Sequence, residues 1–150
     1  MSYAGKDVKI AEDLWSRLRS ALSTSTRTEW QLWAFSEQLI LSDEWDSAIQ
    51  TAIEEAALGL FAISNSFLIS DYIRDRELPR FLQPDAGKRV APIMLRPLPA
   101  TADLRGLDAR QIFEFHRPYS DCRGPGEREK WANRLADELH RVADRYGLGL

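Results

Sequence analysis

The chain has 150 residues, 44% of them hydrophobic and 29% charged, which is the balance of one globular domain and not of a disordered segment. No run approaches the roughly 20 apolar residues of a bilayer helix, and a formal charge of −3 supplies no overall positive field for nucleic acid or anionic lipid. A single cysteine, Cys122, excludes an internal disulfide and a thiolate cluster, and His116 and His140 stand too far apart to suggest metal-ligand spacing.

The first amphipathic stripe is Val8, Ala11, Leu14, Trp15, Leu18 and Leu22, which predicts a helix over about 7–23, ended by the polar run Ser23-Thr24-Ser25-Thr26. Trp30 to Phe35 reads as a short strand. Trp45, Ala48, Ile49, Ala52, Ile53 and Ala56 then share one face of a second helix, with Ser42 as N-cap and Asp43 and Glu44 at its positive end. Leu58–Ile63 is a continuous apolar run, the pattern of a strand buried on both faces. Ser64-Asn65-Ser66 offers a cap to a third helical segment holding Phe67, Leu68, Tyr72, Ile73 and Leu78, which Pro79 should kink or restart.

Val90–Leu95 reads as another strand, with its ladder weakened on one side by Pro92. A long connection with Pro97 and Pro99 leads to a short strand at Ile112–Phe115. A last helix runs over about 127–146, burying Trp131, Leu135, Leu139, Val142 and Tyr146, with Gly147 as C-cap. Trp15, Trp33, Trp45 and Trp131 fall at packing positions; Trp30 falls near a strand start, where partial exposure is expected. Strands alternating with amphipathic helices imply a mostly parallel sheet covered on both faces. Ligands of such sheets bind outside the carboxyl ends of the strands, here the loops after residues near 4, 36, 64 and 96. Glycine-rich dinucleotide and phosphate-loop motifs are missing from the sequence.

Taken in order, several segments resemble a bacterial TIR (Toll/interleukin receptor) domain. Met1-Ser2-Tyr3-Ala4-Gly5-Lys6-Asp7 is similar to the end of that family's first strand and its loop. Trp33-Ala34-Phe35-Ser36-Glu37 through Leu39-Ile40-Leu41-Ser42-Asp43-Glu44-Trp45 resembles the second strand and BB loop, and Ala48 to Ala56 the helix after it. Leu60 to Ser64, Phe67 to Tyr72 and Glu77-Leu78 resemble the third strand, its serine turn and the helix with the glutamate-leucine signature; Val90 to Leu95 resembles the fourth strand. The likeness runs from Met1 to about Arg96. Two features depart from the pattern: the apolar residues that normally precede Ser2 are not in the sequence, so a trimmed or shifted start is expected, and Leu41-Ser42 stands where the family's loop has glycine.

The resemblance implies a flavodoxin-like three-layer sandwich, a central, mostly parallel five-stranded sheet with helices on both faces. It implies a single domain over 1–150, expected to be the N-terminal effector module of a longer protein in the cytoplasm. Enzymatic members cleave the nicotinamide–ribose bond of NAD⁺, which is substrate and not cofactor, and no metal is implied. The leaving group is already a cationic pyridinium and departs neutral without a general acid, so one carboxylate facing the oxocarbenium-like ribose suffices. The resemblance puts that carboxylate at Glu77, with Tyr3, Ala4, Gly5, Lys6, Phe35 and Ser36 as substrate-binding residues. The family's aromatic lies four positions before the glutamate, where this chain has Ile73; Tyr72, five before, takes its place if the helix carries one extra residue. Read without the family, Glu77 is a helix-surface carboxylate balancing Arg74, Arg76 or Arg80, and Lys6 a solvated loop lysine.

Self-association through the BB loop, about Ser36–Glu44, and neighbouring helices is implied as part of the mechanism, in bacterial immune or anti-phage signalling. Direct nucleic-acid and membrane partners are not. The alternative within the same family is a non-catalytic module that signals by homotypic assembly. A receiver-like phosphoacceptor on a similar sheet fits less well, because its strands should end in clustered acids and these end in Ser64 and Arg96.

Overall fold

The computed structural model describes residues 1–25, 28–36, 43–83 and 88–147. The apolar run at 58–63 forms β3 (Leu58–Ile63), buried from Gly59 onward. β3 pairs in parallel with β4 (Arg89–Met94) along its whole length, Leu58 opposite Arg89 through Ile63 opposite Met94. On its other side it meets β1 (Ser2–Tyr3) where Ser2 faces Phe61, and β1 pairs in parallel with β2 (Phe35–Ser36). The order is β2-β1-β3-β4.

Alternate β3 side chains feed two cores, as the two-residue pleat requires. Leu60 and Ala62 meet α1 (Val8–Ser23) through Ala11, Leu14, Leu18 and Leu22, and α5 (Pro125–Tyr146) through Trp131, Leu135 and Leu139. Phe61 and Ile63 meet α2 (Asp43–Glu55) through Ile49 and Ile53, α3 (Asn65–Leu68) through Phe67, and α4 (Leu78–Leu82) through Leu78 and Phe81. Helices therefore cover both faces of a parallel sheet. Gly59 is where the second layer closes in, because a Cβ there would sit 2.7 Å from the Phe81 ring.

Several expectations are corrected. The described residues form four strands, not five. Ile112–Phe115 contributes one parallel bridge, Phe113 to Ile93, in place of a strand. Two things limit it: the Pro92 carbonyl accepts from the Phe113 N–H at 2.9 Å, so its missing N–H faces that edge and stops the ladder before Phe113, and beyond Phe113 the Arg96 N–H turns back to the Ile63 carbonyl at 3.2 Å. The strand expected over Trp30–Phe35 shrinks to Phe35–Ser36, since β1 starts opposite Phe35 and residues 30–34 have no strand beside them.

Trp33 is accordingly 60% exposed and not core, while Trp15 and Trp30 are half-buried and Trp131 fully buried. Val8 is exposed, and so is Ala48, at the margin of the Ile49–Ala52–Ile53 stripe. Val142 is half-buried, and Tyr146 turns outward to stack on the Arg89 guanidinium, 3.7 Å from its ring centre. Ser42 and the side chain of Trp45 lie outside the described residues. The expected caps are present: the Ser64 hydroxyl accepts from the Phe67 N–H at 3.1 Å, and Gly147 closes α5 at φ 66°.

Candidate functional site

The helical segment after β3 is broken into pieces for a local reason. Pro79 has no N–H, and inside a regular helix its ring would strike the carbonyl four residues back. The chain instead forms a wide π turn over Ile73–Glu77, closed by the Leu78 N–H on the Ile73 carbonyl, and α4 starts afresh with Pro79 in its first turn. A π turn carries one residue more than an α turn, which is the kind of extra residue the resemblance asked for between Tyr72 and Glu77. Tyr72 is half-buried, accepts at its hydroxyl from Gln50 Nε2 at 2.9 Å, and lies 5.8 Å from the Arg76 guanidinium. Ile73 is buried among core side chains.

Glu77 faces inward. It is 1% exposed, and Oε2 accepts a hydrogen bond from the Ser2 hydroxyl on β1. The surface reading is thereby corrected: Arg74 pairs with Asp75 at 2.8 Å and Asp71 at 3.0 Å, and Arg80 pairs with Glu54 at 3.2 Å. Ser2 was not among the residues singled out from sequence. The only signal for it is the Ser2-Tyr3 pair in the stretch that resembles the first strand.

At the carboxyl ends of the strands the structure gathers a different set. Asp7, 3% exposed, accepts from the Ser64 hydroxyl and from Arg96 Nε at 2.8 Å. These residues follow β1, β3 and β4, so one carboxylate ties three loops together across the point where strand order reverses. Sequence reasoning named the loops and missed Asp7, whose partners lie 57 and 89 positions away.

Of the expected substrate-binding residues, Tyr3 is a core side chain on the α1 and α5 side and Ala4 one on the other side. Both side chains are buried there, at 5% and 1% exposure. Gly5 is buried in a tight turn over Gly5–Asp7, and Lys6 is exposed. The Phe35 and Ser36 backbones pair with β1, and their side chains lie outside the described residues, as does the BB loop over 37–42.

A cavity of about 370 Å³ borders Ser2 and Glu77, but it opens beside Leu58 and Gly59, towards the amino ends of the strands. The loops after β1, β3 and β4, which the sequence singled out for a ligand, lie at the opposite end. Among the described residues there is no group of three or more His, Cys, Asp and Glu side chains placed to hold a metal ion, and no helix long and apolar enough to cross a membrane.

The parallel sheet, its strand order and the glutamate helix can be set against known families. A family model described as a TIR domain matches residues 1–123. The chain belongs to the TIR domain family. The match covers all four strands and reaches past Arg96; α5 lies beyond it. No curated protein and no solved structure matches the chain. TIR domains include NAD⁺ hydrolases as well as signalling scaffolds.

Proposed function

We propose that this TIR domain cleaves the nicotinamide–ribose bond of NAD⁺ through Glu77, and that it does so as a self-associating effector. The observation that carries the reading is a carboxylate buried to 1% exposure and held by the Ser2 hydroxyl, on the helix of the glutamate-leucine signature. Removing a carboxylate from water is costly, and a carboxylate aimed inward acts on nearby charge far more strongly than one in solvent. As the pyridinium leaves neutral, positive charge develops on the ribose carbon, and Glu77 stabilises that charge. Ser2 acts as a positioning residue, fixing one carboxylate oxygen so that the other addresses the sugar. NAD⁺ is the substrate: nicotinamide leaves with the electron pair of the broken C–N bond, and a nucleophile, water in hydrolysis, adds to the ribose carbon and gives up its proton.

Burial also bears on regulation. From the loops at the carboxyl ends of the strands, a ribose reaches Glu77 only after the side chains between them shift, which supports activity that appears on assembly through the BB-loop region and is low in the dilute chain. The setting in bacterial antiviral defence follows from the resemblance alone.

The scaffold reading has its own observation. Tyr72 is engaged with Gln50, and Ile73 is buried, so the aromatic wall of a nicotinamide pocket is not open at either position. NAD⁺ loss and nicotinamide release, measured at high protein concentration with crowding agent and with assembly followed by light scattering, separate the two. Glu77→Gln should lower turnover by more than about 100-fold while leaving assembly intact. Equal turnover in the variant would remove Glu77 from the mechanism. An assembled wild type without turnover would favour the scaffold.

A further inference from the structure

α2 is tied to its neighbours at two depths. At its end, the Arg80 guanidinium donates to Glu54 Oε1 at 3.2 Å, and Lys88 Nζ donates to the carbonyls of Glu54 and Ala56 at 2.8 and 2.6 Å. One turn earlier, Gln50 Nε2 donates to the Tyr72 hydroxyl at 2.9 Å, and the Gln50 carbonyl accepts from Arg80 at 3.4 Å. Among the described residues, Gln50 is the position nearest the start of α2 with a side-chain hydrogen bond to another element. That start is Asp43, directly after residues 37–42. With the far end held by two cations, a displacement entering at Asp43 reaches the Gln50–Tyr72 bond first.

The bond is shallow. Gln50 Oε1 is buried and has no hydrogen-bond partner. A desolvated acceptor left unpaired offsets much of what the Nε2 bond contributes, and swinging the amide into water satisfies both of its ends. Tyr72 is half-buried beside the Arg76 guanidinium, so its hydroxyl also has water within reach once released. Held and released states are therefore close in free energy, which is the condition for a contact that a modest differential push reverses.

We propose that Gln50 is a latch on Tyr72: it holds the ring against α2 in the separate chain, and displacement of the start of α2 on self-association releases it. Tyr72 stands at the entry of the π turn that ends in Glu77. Freed from Gln50, its ring becomes available as the aromatic wall that Ile73, buried in the core, does not supply. What the freed ring then does rests on the NAD⁺ reading above; the release itself does not. Linkage makes the coupling reciprocal, so that if assembly opens the latch, opening the latch favours assembly.

The test compares wild type with Gln50→Ala, Tyr72→Phe and the double variant, all without NAD⁺ and with crowding agent. Light scattering should show each single variant assembling at a protein concentration roughly two- to ten-fold below that of wild type, the factor expected of one hydrogen bond. The double variant should go no lower than the singles, because both remove the same contact. Additive shifts are the mark of general loosening and overturn the proposal, as do thresholds equal to wild type or a wild type that stays monomeric. In chains labelled with 3-fluorotyrosine, the fluorine resonance that Tyr72→Phe deletes should move in Gln50→Ala and become more accessible to a soluble paramagnet; an unmoved resonance overturns the latch. Should Gln50→Ala fail to fold, the Tyr72→Phe threshold decides. Lowered thresholds with no NAD⁺ turnover in any chain would sink the NAD⁺ reading and leave the latch standing.

Discussion

Ser2 and Glu77 are 75 positions apart, and their contact is a matter of one hydroxyl and one carboxylate oxygen. Ser2→Ala removes a hydrogen bond to a buried charged group, so it should cost about 1.5 to 3 kcal/mol in urea unfolding. If Ser2 positions the carboxylate, turnover of NAD⁺ falls as well, and Ser2→Thr, which keeps the hydroxyl, restores part of it. Gly59 makes a different demand at the same scale. Gly59→Ala drives a methyl to within 2.7 Å of the Phe81 ring, itself packed edge-on to Phe61 at 5.3 Å. A loss of about 1 to 3 kcal/mol in the same measurement is expected. Phe81→Leu, which withdraws the ring, should recover part of that loss in the double variant.

The helical pieces after β3 show how a single residue shapes an element. Pro79 forces the restart, the π turn absorbs it, and Glu77 is delivered inward at the end of that turn. The Pro79 break was legible in the sequence because it is steric and local. Its form was not, because a kink, a new turn and a π turn all satisfy the same constraint until neighbours choose among them. Ser64 likewise joins local and distant roles, since its hydroxyl caps α3 and also donates to Asp7. Ser64→Ala should therefore exceed an ordinary cap loss of about 1 kcal/mol and approach 2 kcal/mol in thermal or urea unfolding. Ser64→Gly, which relieves most of the cap loss but not the Asp7 loss, should retain about half of the deficit.

At the scale of the molecule, α1 and α5 are joined by a polar network as well as by their apolar faces. Asp13 on α1 accepts from the Tyr119 hydroxyl and lies 3.4 Å from both Arg17 and Arg128, the latter on α5. Burial opposes ionisation of Asp13, but the Tyr119 hydrogen bond and the two guanidinium groups outweigh it and hold the carboxyl below its usual 3.8. Burial and the adjoining carboxylate push the Tyr119 hydroxyl upward, so it remains a donor throughout the neutral range. A carboxyl depressed in the folded state stabilises above its unfolded pKa, and that contribution is lost as pH falls through the folded value. Tyr119→Phe should thus cost about 0.5 to 1.5 kcal/mol at pH 7. The gap from wild type should narrow below pH 3.8, as urea midpoints across pH will show.

What the sequence determined by itself is what depends on neighbours a few residues away. The stripes Leu14–Leu18–Leu22 and Trp131–Leu135–Leu139, the buried run 58–63, the Ser64 and Gly147 caps and the Pro79 break all follow from helical or strand period and local sterics. The family's ordered segments added the glutamate. Tertiary structure alone decided the rest, because it rests on residues brought together across the sheet. Whether Glu77 faced solvent or Ser2 depended on where β1 lay. The Asp7 link to Ser64 and Arg96 required three strand ends at one edge, and the reach of β2 was set by where its partner begins. The cavity beside Leu58 and Gly59 is likewise walled by segments far apart in the chain, from Leu18 to Leu139, and no single one of them carries it.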